Sequence, residues 1–229
     1  LTVEEADSIA GKPMGVPKTG IFGLIDLVGL DLMPHVGRSL YENVPEGDPF
    51  RSLYRESEML TRMIADGYTG RKGKGGFYRL KPDAEEKIKE AIDLETGEYR
   101  TAQKPKLKSV AKARKSGLKA MLEHGDKMAN YAWWVLARTL GYAARLVPEI
   151  SDDIVGVDDA MRLGYNWKFG PFELIDKLGA AWFRRKLEAD GLPVPTLLVM
   201  ADDRTFYRRE GGKLQYLTFE GAYRDMPRA

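Results

Sequence analysis

The sequence contains no cysteine. That excludes disulfide staples, thiolate zinc sites and cysteine nucleophiles. Histidine is nearly as scarce: His35 and His124 are the only two, which leaves little imidazole for general-base or metal chemistry. No apolar run approaches the ~20 residues needed to span a bilayer. The longest, Tyr131 to Ala137 and Leu192 to Ala201, are far shorter. No basic-then-apolar opening suggests a signal peptide. Neither sign of charge prevails: 36 Lys and Arg against 34 Asp and Glu leave +2, so bulk charge gives no lead towards nucleic acid or membrane. These absences predict a soluble chain from a reducing, cytoplasmic compartment. What is present is core material. The 229 residues are 43% hydrophobic, which suits one large domain or two small ones and excludes a disordered chain.

The pattern is helical over most of the length. Thr2 and Glu5 have capping-box spacing, predicting a short helix to Ala10. After a Pro/Gly loop, Ile21 to Val28 form an apolar turn ending at Gly29. A helix is expected from near Pro34 to Tyr41, and a single amphipathic one from Phe50 to Ala65. Gly70 to Tyr78 reads as a glycine-rich basic loop entering a short extended segment. Lys81 to Gln103 reads as a polar surface connection with a helix at Ala84 to Asp93. Ala129 to Val147 is apolar nearly all round, as a helix sandwiched between others would be. Short helices are expected at 154–163, 171–178, 180–189 and 193–201, then a hairpin of Phe206 to Arg209 with Lys213 to Thr218.

An internal repeat reorganises this reading. Residues 18–29 and 168–179 agree at seven of twelve positions at a constant offset of 150. Val3 to Ala6 parallels Val157 to Ala160 at offset 154, so the loops between differ by four residues. The chain is therefore a duplicated helical unit. The second copy has a long helix ahead of this stretch. Its counterpart in the first is expected before Leu1, which predicts that the chain is a piece of a longer protein.

Gly170-Pro171-Phe172-Glu173-Leu174-Ile175-Asp176, closed by Gly179, resembles the signature of the 3-hydroxyacyl-CoA dehydrogenase C-terminal domain. Gly70, Gly73, Gly76 and Phe77-Tyr78 resemble that domain's glycine-rich end, and Val157 to Met161 the stretch before the signature. The first copy departs from it at Ile21 and Gly23, and the second is expected to lack a Gly-rich Phe-Tyr segment and to end in the hairpin instead. A tandem pair resembles the multifunctional enzymes of fatty-acid β-oxidation. The resemblance implies an all-α fold of the 6-phosphogluconate-dehydrogenase C-terminal-like kind. Two repeats, 1–80 and 126–203, would pack as an internal pseudo-dimer, with a connection at 81–125 and a hairpin and tail at 204–229. It implies a Rossmann domain upstream that carries NAD and a His–Glu pair, an acyl-CoA substrate, and an enoyl-CoA hydratase as a possible further domain. No dinucleotide fingerprint occurs in the chain itself, so no catalytic residue and no bound cofactor are expected in it. The resemblance places Gly20 and Phe22 at the acyl cleft. Asp26, Gly70, Gly73, Gly76, Phe77, Gly170, Pro171, Phe172 and Asp176 stand as structural motif residues. Asn130 resembles a family asparagine, but Tyr131 follows where Arg is usual, and its role is not carried over.

Several features keep two readings. Gly70 to Gly76 is either a structural turn or an anion cradle. Lys104 to Lys119, with seven basic residues and no acid, is either a solvated surface or a site for an acidic partner or RNA, though it lacks aromatics for base stacking. Asp26 and Asp176 either cap a following helix or bind backbone amides. Asp152, Asp153, Asp158 and Asp159 suit helix starts better than a metal site. His35 and His124 show no carboxylate partner at useful spacing.

Overall fold

The computed structural model describes residues 1–227. The chain divides into two compact units: residues 1–11 with 18–107, and residues 12–17 with the chain from Lys108 onward. No helix among the described residues is long and apolar enough to cross a membrane.

Unit 1 begins with helix α1, Val3–Ile9. Thr2 Oγ1 accepts from Glu5 N at 3.2 Å and Glu5 returns a carboxylate oxygen to Thr2 N at 3.0 Å, so the expected capping box is present. Helices α2 (Phe22–Val28), α3 (Leu32–Asn43), α4 (Pro49–Leu53) and α5 (Glu58–Ala65) follow. The single helix expected over 50–65 is two. Tyr54 takes extended backbone angles and Ser57 caps α5 through Leu60 N. An internal serine offers a fresh N-cap inside an otherwise continuous amphipathic pattern.

The larger correction concerns residues 81–103. They hold no helix at 84–93. Strands β1 (Tyr78–Leu80), β2 (Lys89–Ile92) and β3 (Tyr99–Thr101) form an antiparallel meander. Ala91 and Ile92 are buried with Val3, Leu30, Met63 and Phe77. The stretch is the far wall of the unit 1 core, and its polar composition reflects a sheet with one wet face.

Unit 2 contains α6 (Lys108–Leu122, kinked at Gly117), α7 (Lys127–Leu146), α8 (Ile154–Asp159, running into a π-turn at Ala160–Gly164), α9 (Pro171–Leu178), α10 (Ala180–Ala189) and α11 (Thr196–Ala201). Asp126 caps α7 at Ala129 N, 2.8 Å. This helix is less enclosed than expected: Ala132, Trp133, Leu136 and Leu140 are buried, whereas Trp134 is half exposed beneath the Arg138 guanidinium. The predicted hairpin is a three-stranded meander, β4 (Tyr207–Glu210), β5 (Lys213–Leu217) and β6 (Tyr223–Asp225). With two small sheets the fold is mainly helical rather than all-α.

Candidate functional site

Each unit is organised by two aspartates and one tyrosine. In unit 1 the first turn of α2 has no side-chain cap of its own. Asp7 supplies one from α1, accepting from Phe22 N at 2.8 Å and Gly23 N at 3.0 Å. It thereby satisfies two of the amides that a helix start leaves open. Tyr78 donates its hydroxyl to the same carboxylate at 2.9 Å. From the other end of α2, Asp26 accepts from Phe77 N at 2.7 Å and Tyr78 N at 2.8 Å, which fixes the entry to β1. Phe22 meets Phe77 edge-on at 4.6 Å between centroids.

Unit 2 repeats the arrangement atom for atom. Asp158 accepts from Phe172 N (2.8 Å), Glu173 N (3.1 Å) and the Tyr207 hydroxyl (2.9 Å). Asp176 accepts from Phe206 N (2.7 Å) and Tyr207 N (2.8 Å). Phe172 meets Phe206 edge-on at 5.0 Å. Farther out, Arg79 lies 3.7 Å over the Tyr99 ring and Arg208 3.7 Å over Tyr223.

This geometry refines two expectations about the repeat. The second copy lacks the glycine-rich loop, as expected, but does possess a Phe-Tyr pair, Phe206-Tyr207, at offset 129 rather than 150. The register of the first helix also changes. Asp7 answers to Asp158 and the N-caps Thr2 and Asp153 answer to each other, all at offset 151, so the intervening loops differ by one residue. The pairings Asp7–Tyr78 and Asp158–Tyr207 are not among the expectations from sequence; the shared tripeptide Phe-Tyr-Arg at 77–79 and 206–208 is the available signal.

The glycines follow from these carboxylates. A Cβ on Gly20 would lie 2.5 Å from Asp7, one on Gly170 would overlap Asp158, and one on Gly76 would overlap Asp26. Gly70 (φ +97°) presses on the Asp26 carbonyl and Gly73 on Thr69. Five of the amides of the Gly70 to Gly76 loop are spent on backbone carbonyls of unit 1. Gly70 N donates to Gly75 O, Arg71 N to Asp26 O, Gly73 N to Gly70 O, Lys74 N to Gly67 O and Gly76 N to Tyr78 O. A phosphate cradle needs those amides free. The loop also leads into a strand rather than a helix N-terminus, so it does not fit the pyrophosphate of NAD.

Burial pushes the carboxyls of Asp7 and Asp26 above the ordinary aspartate value, against the hydrogen bonds that favour their charged forms. In unit 2 burial takes Asp158 up to about 7 and Asp176 up to about 6. The tyrosine hydroxyls are held well above the usual range by burial and by the facing aspartates. These tyrosines are donors, not bases.

Beside the unit 1 lattice lies an open cleft of about 940 Å³. Lys18, Arg71, Lys74, Arg79, Lys89 and Lys104 border it, together with Asp7, Asp26 and Tyr78. Arg79 is engaged with Glu90 and Glu4 with Arg100. Of the basic run, Lys104 reaches this cleft in unit 1, while Lys108 onward belongs to unit 2, where Lys108, Lys112, Arg114 and Lys115 are exposed. Asp153 caps α8, as expected of a helix-start acid, but Asp158 serves α9 instead. Asp26 and Asp176 bind strand amides, the second of their two readings. His124 does have a carboxylate neighbour, Asp126 at 3.6 Å. No group of three or more His, Asp or Glu is placed to hold a metal among the described residues.

The model of the 3-hydroxyacyl-CoA dehydrogenase C-terminal domain matches residues 1–80. Those residues are similar to that domain. They span α1 to β1 and contain the whole Asp7–Asp26–Tyr78 lattice. A Bacillus subtilis protein named "Probable 3-hydroxyacyl-CoA dehydrogenase" is 34% identical over 227 residues, covering 97% of this chain and 28% of that protein. A Rickettsia felis protein named "Putative fatty acid oxidation complex trifunctional enzyme" is 38% identical over 169 residues, 74% of this chain and 23% of that protein. The chain thus spans about a quarter of the length of the curated relatives it matches.

Proposed function

We propose that this chain is the helical part of an NAD-dependent 3-hydroxyacyl-CoA dehydrogenase of fatty-acid oxidation, and that unit 1 completes the acyl-CoA cleft. The match of residues 1–80 to the dehydrogenase family carries the reading. Phe22, half-buried at the start of α2 and held by Phe77, is the side chain for the acyl portion, and Gly20 admits the carboxylate that orients it. The cleft bordered by Lys18, Arg71 and Lys104 suits the phosphates of coenzyme A. Asp7, Asp26, Asp158, Asp176, Tyr78 and Tyr207 are committed to structure, and the hydride chemistry belongs to a nucleotide-binding domain that brings NAD and the catalytic His–Glu pair.

The test is NADH oxidation with acetoacetyl-CoA. The chain alone should show no turnover. A chimera in which it replaces the matching stretch of the Bacillus subtilis relative should turn over, with Phe22→Ala raising KM about tenfold or more, since roughly 1.4 kcal/mol of lost contact gives that factor. Turnover by the chain alone, or a folded chimera that binds no acyl-CoA, overturns the reading.

A further inference from the structure

The two units differ at the place where unit 1 opens its cleft. In unit 2, Arg162 donates to Glu173 at 3.1 Å and pairs with Asp159, so one guanidinium ties the end of α8 to the start of α9. The equivalents of Asp159 and Glu173 in unit 1, at offsets 151 and 150, are Ser8 and Gly23. Both line the open cleft, where no pair of acids anchors a bridging arginine. A second exchange runs the other way. Val155 belongs to the unit 2 core at 5% exposed; its counterpart at offset 151 is Glu4, also 5% exposed. Glu4 accepts from Arg100 Nη1 (2.7 Å) and Nη2 (2.9 Å) and from the Gln103 amide (2.9 Å). A buried ion pair is seldom more stabilising than apolar side chains that can stand in its place, and the duplicate has valine standing there. Stability alone does not account for Glu4.

We propose that Glu4 is a positioning residue of the unit 1 cleft: by gripping Arg100 and the Gln103 amide it sets Lys104 at the rim to meet a phosphate, on the reading above that the cleft takes the phosphates of coenzyme A. The chain leaving β3 is fixed at two successive residues just before this lysine. Ala102 N donates to Lys89 O at 2.9 Å, and Gln103 N donates to Glu4. Lys104 then borders the cleft. Lys18 and Lys104 are exposed and form no ion pair among the described residues, so their charge is left for an anion. A lysine on a free strand end must give up backbone as well as side-chain freedom when it binds. Anchoring the backbone ahead of Lys104 removes the first of those costs. Lys18 comes from the loop before α2, which Glu4 does not touch, and therefore serves as the internal control.

The probe is coenzyme A, titrated calorimetrically into the full chain and its variants. Lys104→Ala and Glu4→Val should each weaken binding about tenfold. The double variant should be no weaker than either single, because the valine has already removed what the lysine supplied. Lys18→Ala should weaken binding as well, and its loss should add to that of Glu4→Val. A general loosening of unit 1 would add to both lysine variants alike. Circular dichroism at the titration temperature checks the fold, which the Val155 precedent expects Glu4→Val to keep. Arg100→Gln breaks the same grip from the β3 side and should shift affinity in the same direction. If Glu4→Val and Arg100→Gln bind like the parent while Lys104→Ala is weakened, Lys104 serves the cleft without Glu4; the proposal fails and the reading of the cleft stands. Additive losses in the Glu4→Val/Lys104→Ala double, or unchanged binding by Lys104→Ala, overturn it too. A parent chain that binds no coenzyme A overturns the reading of the cleft and the proposal together.

Discussion

Replacing Asp26 by alanine tests the two-aspartate arrangement most directly. Asp26 is 4% exposed, and its carboxylate takes both the Phe77 and Tyr78 amides. Alanine leaves two buried donors without an acceptor, at about 1–3 kcal/mol each. Some of that is returned, because burial already disfavours the aspartate charge. The net expectation is a loss of about 2–4 kcal/mol, a large share of the 5–15 kcal/mol of a typical domain. Asparagine should rescue little. Its oxygen can serve one amide, but its NH2 then faces the other, donor against donor. Far-UV circular dichroism in urea gives the loss. Amide exchange assigns it, with Phe77 and Tyr78 expected to open first. Asp176→Ala is the reciprocal experiment, opening Phe206 and Tyr207 first. If Asp26→Ala costs under about 0.5 kcal/mol and those two amides stay slow, Asp26 does not hold β1 and the reasoning fails.

Two pH effects of opposite sign follow. Asp158 sits at about 7 in the fold against an ordinary 3.8. Its contribution is therefore full below pH ~4 and lost as pH rises to ~7, by about 4 kcal/mol at most; the urea midpoint of unit 2 should fall across that window, and Asp158→Asn should flatten it. Glu4 is buried, which works against its charge, but Arg100 and the Gln103 amide hold it down at about 2 against 4.5. Its contribution is present above pH ~4.5 and lost as pH falls to ~2, by about 3 kcal/mol at most, and Glu4→Gln should remove that acid limb from unit 1. Gly170→Ala should destabilise unit 2 by about 1–3 kcal/mol by thermal melt. Its φ is an ordinary −72°, so only the overlap with Asp158 is at work; Asp158→Gly in the same chain should relieve part of the loss.

How far this was legible in the sequence depends on the kind of signal. Local signals read well. The Thr2 capping box and the apolar turns at 21–28 and 171–178 rest on neighbours in sequence, and the structure has a helix at each. Signals that act across long separations did not. Asp26 meets its amides 51 and 52 residues away, and Asp7 meets Tyr78 after 71. Nothing in a window of a dozen residues tells an aspartate that will accept strand amides from one that will cap a helix. The sheets failed for a related reason. Strands β2 and β3 carry only four and three residues, too few for a period-2 pattern to stand out from a charged stretch. The repeat itself held the missing information. Once Asp26 and Asp176 stand in equivalent places, whatever one of them binds the other should bind too, and the search for a second Phe-Tyr-Arg after Asp176 would have reached Phe206 directly. Duplication thus converts a long-range contact, invisible to local pattern, into a shared tripeptide that can be matched by eye.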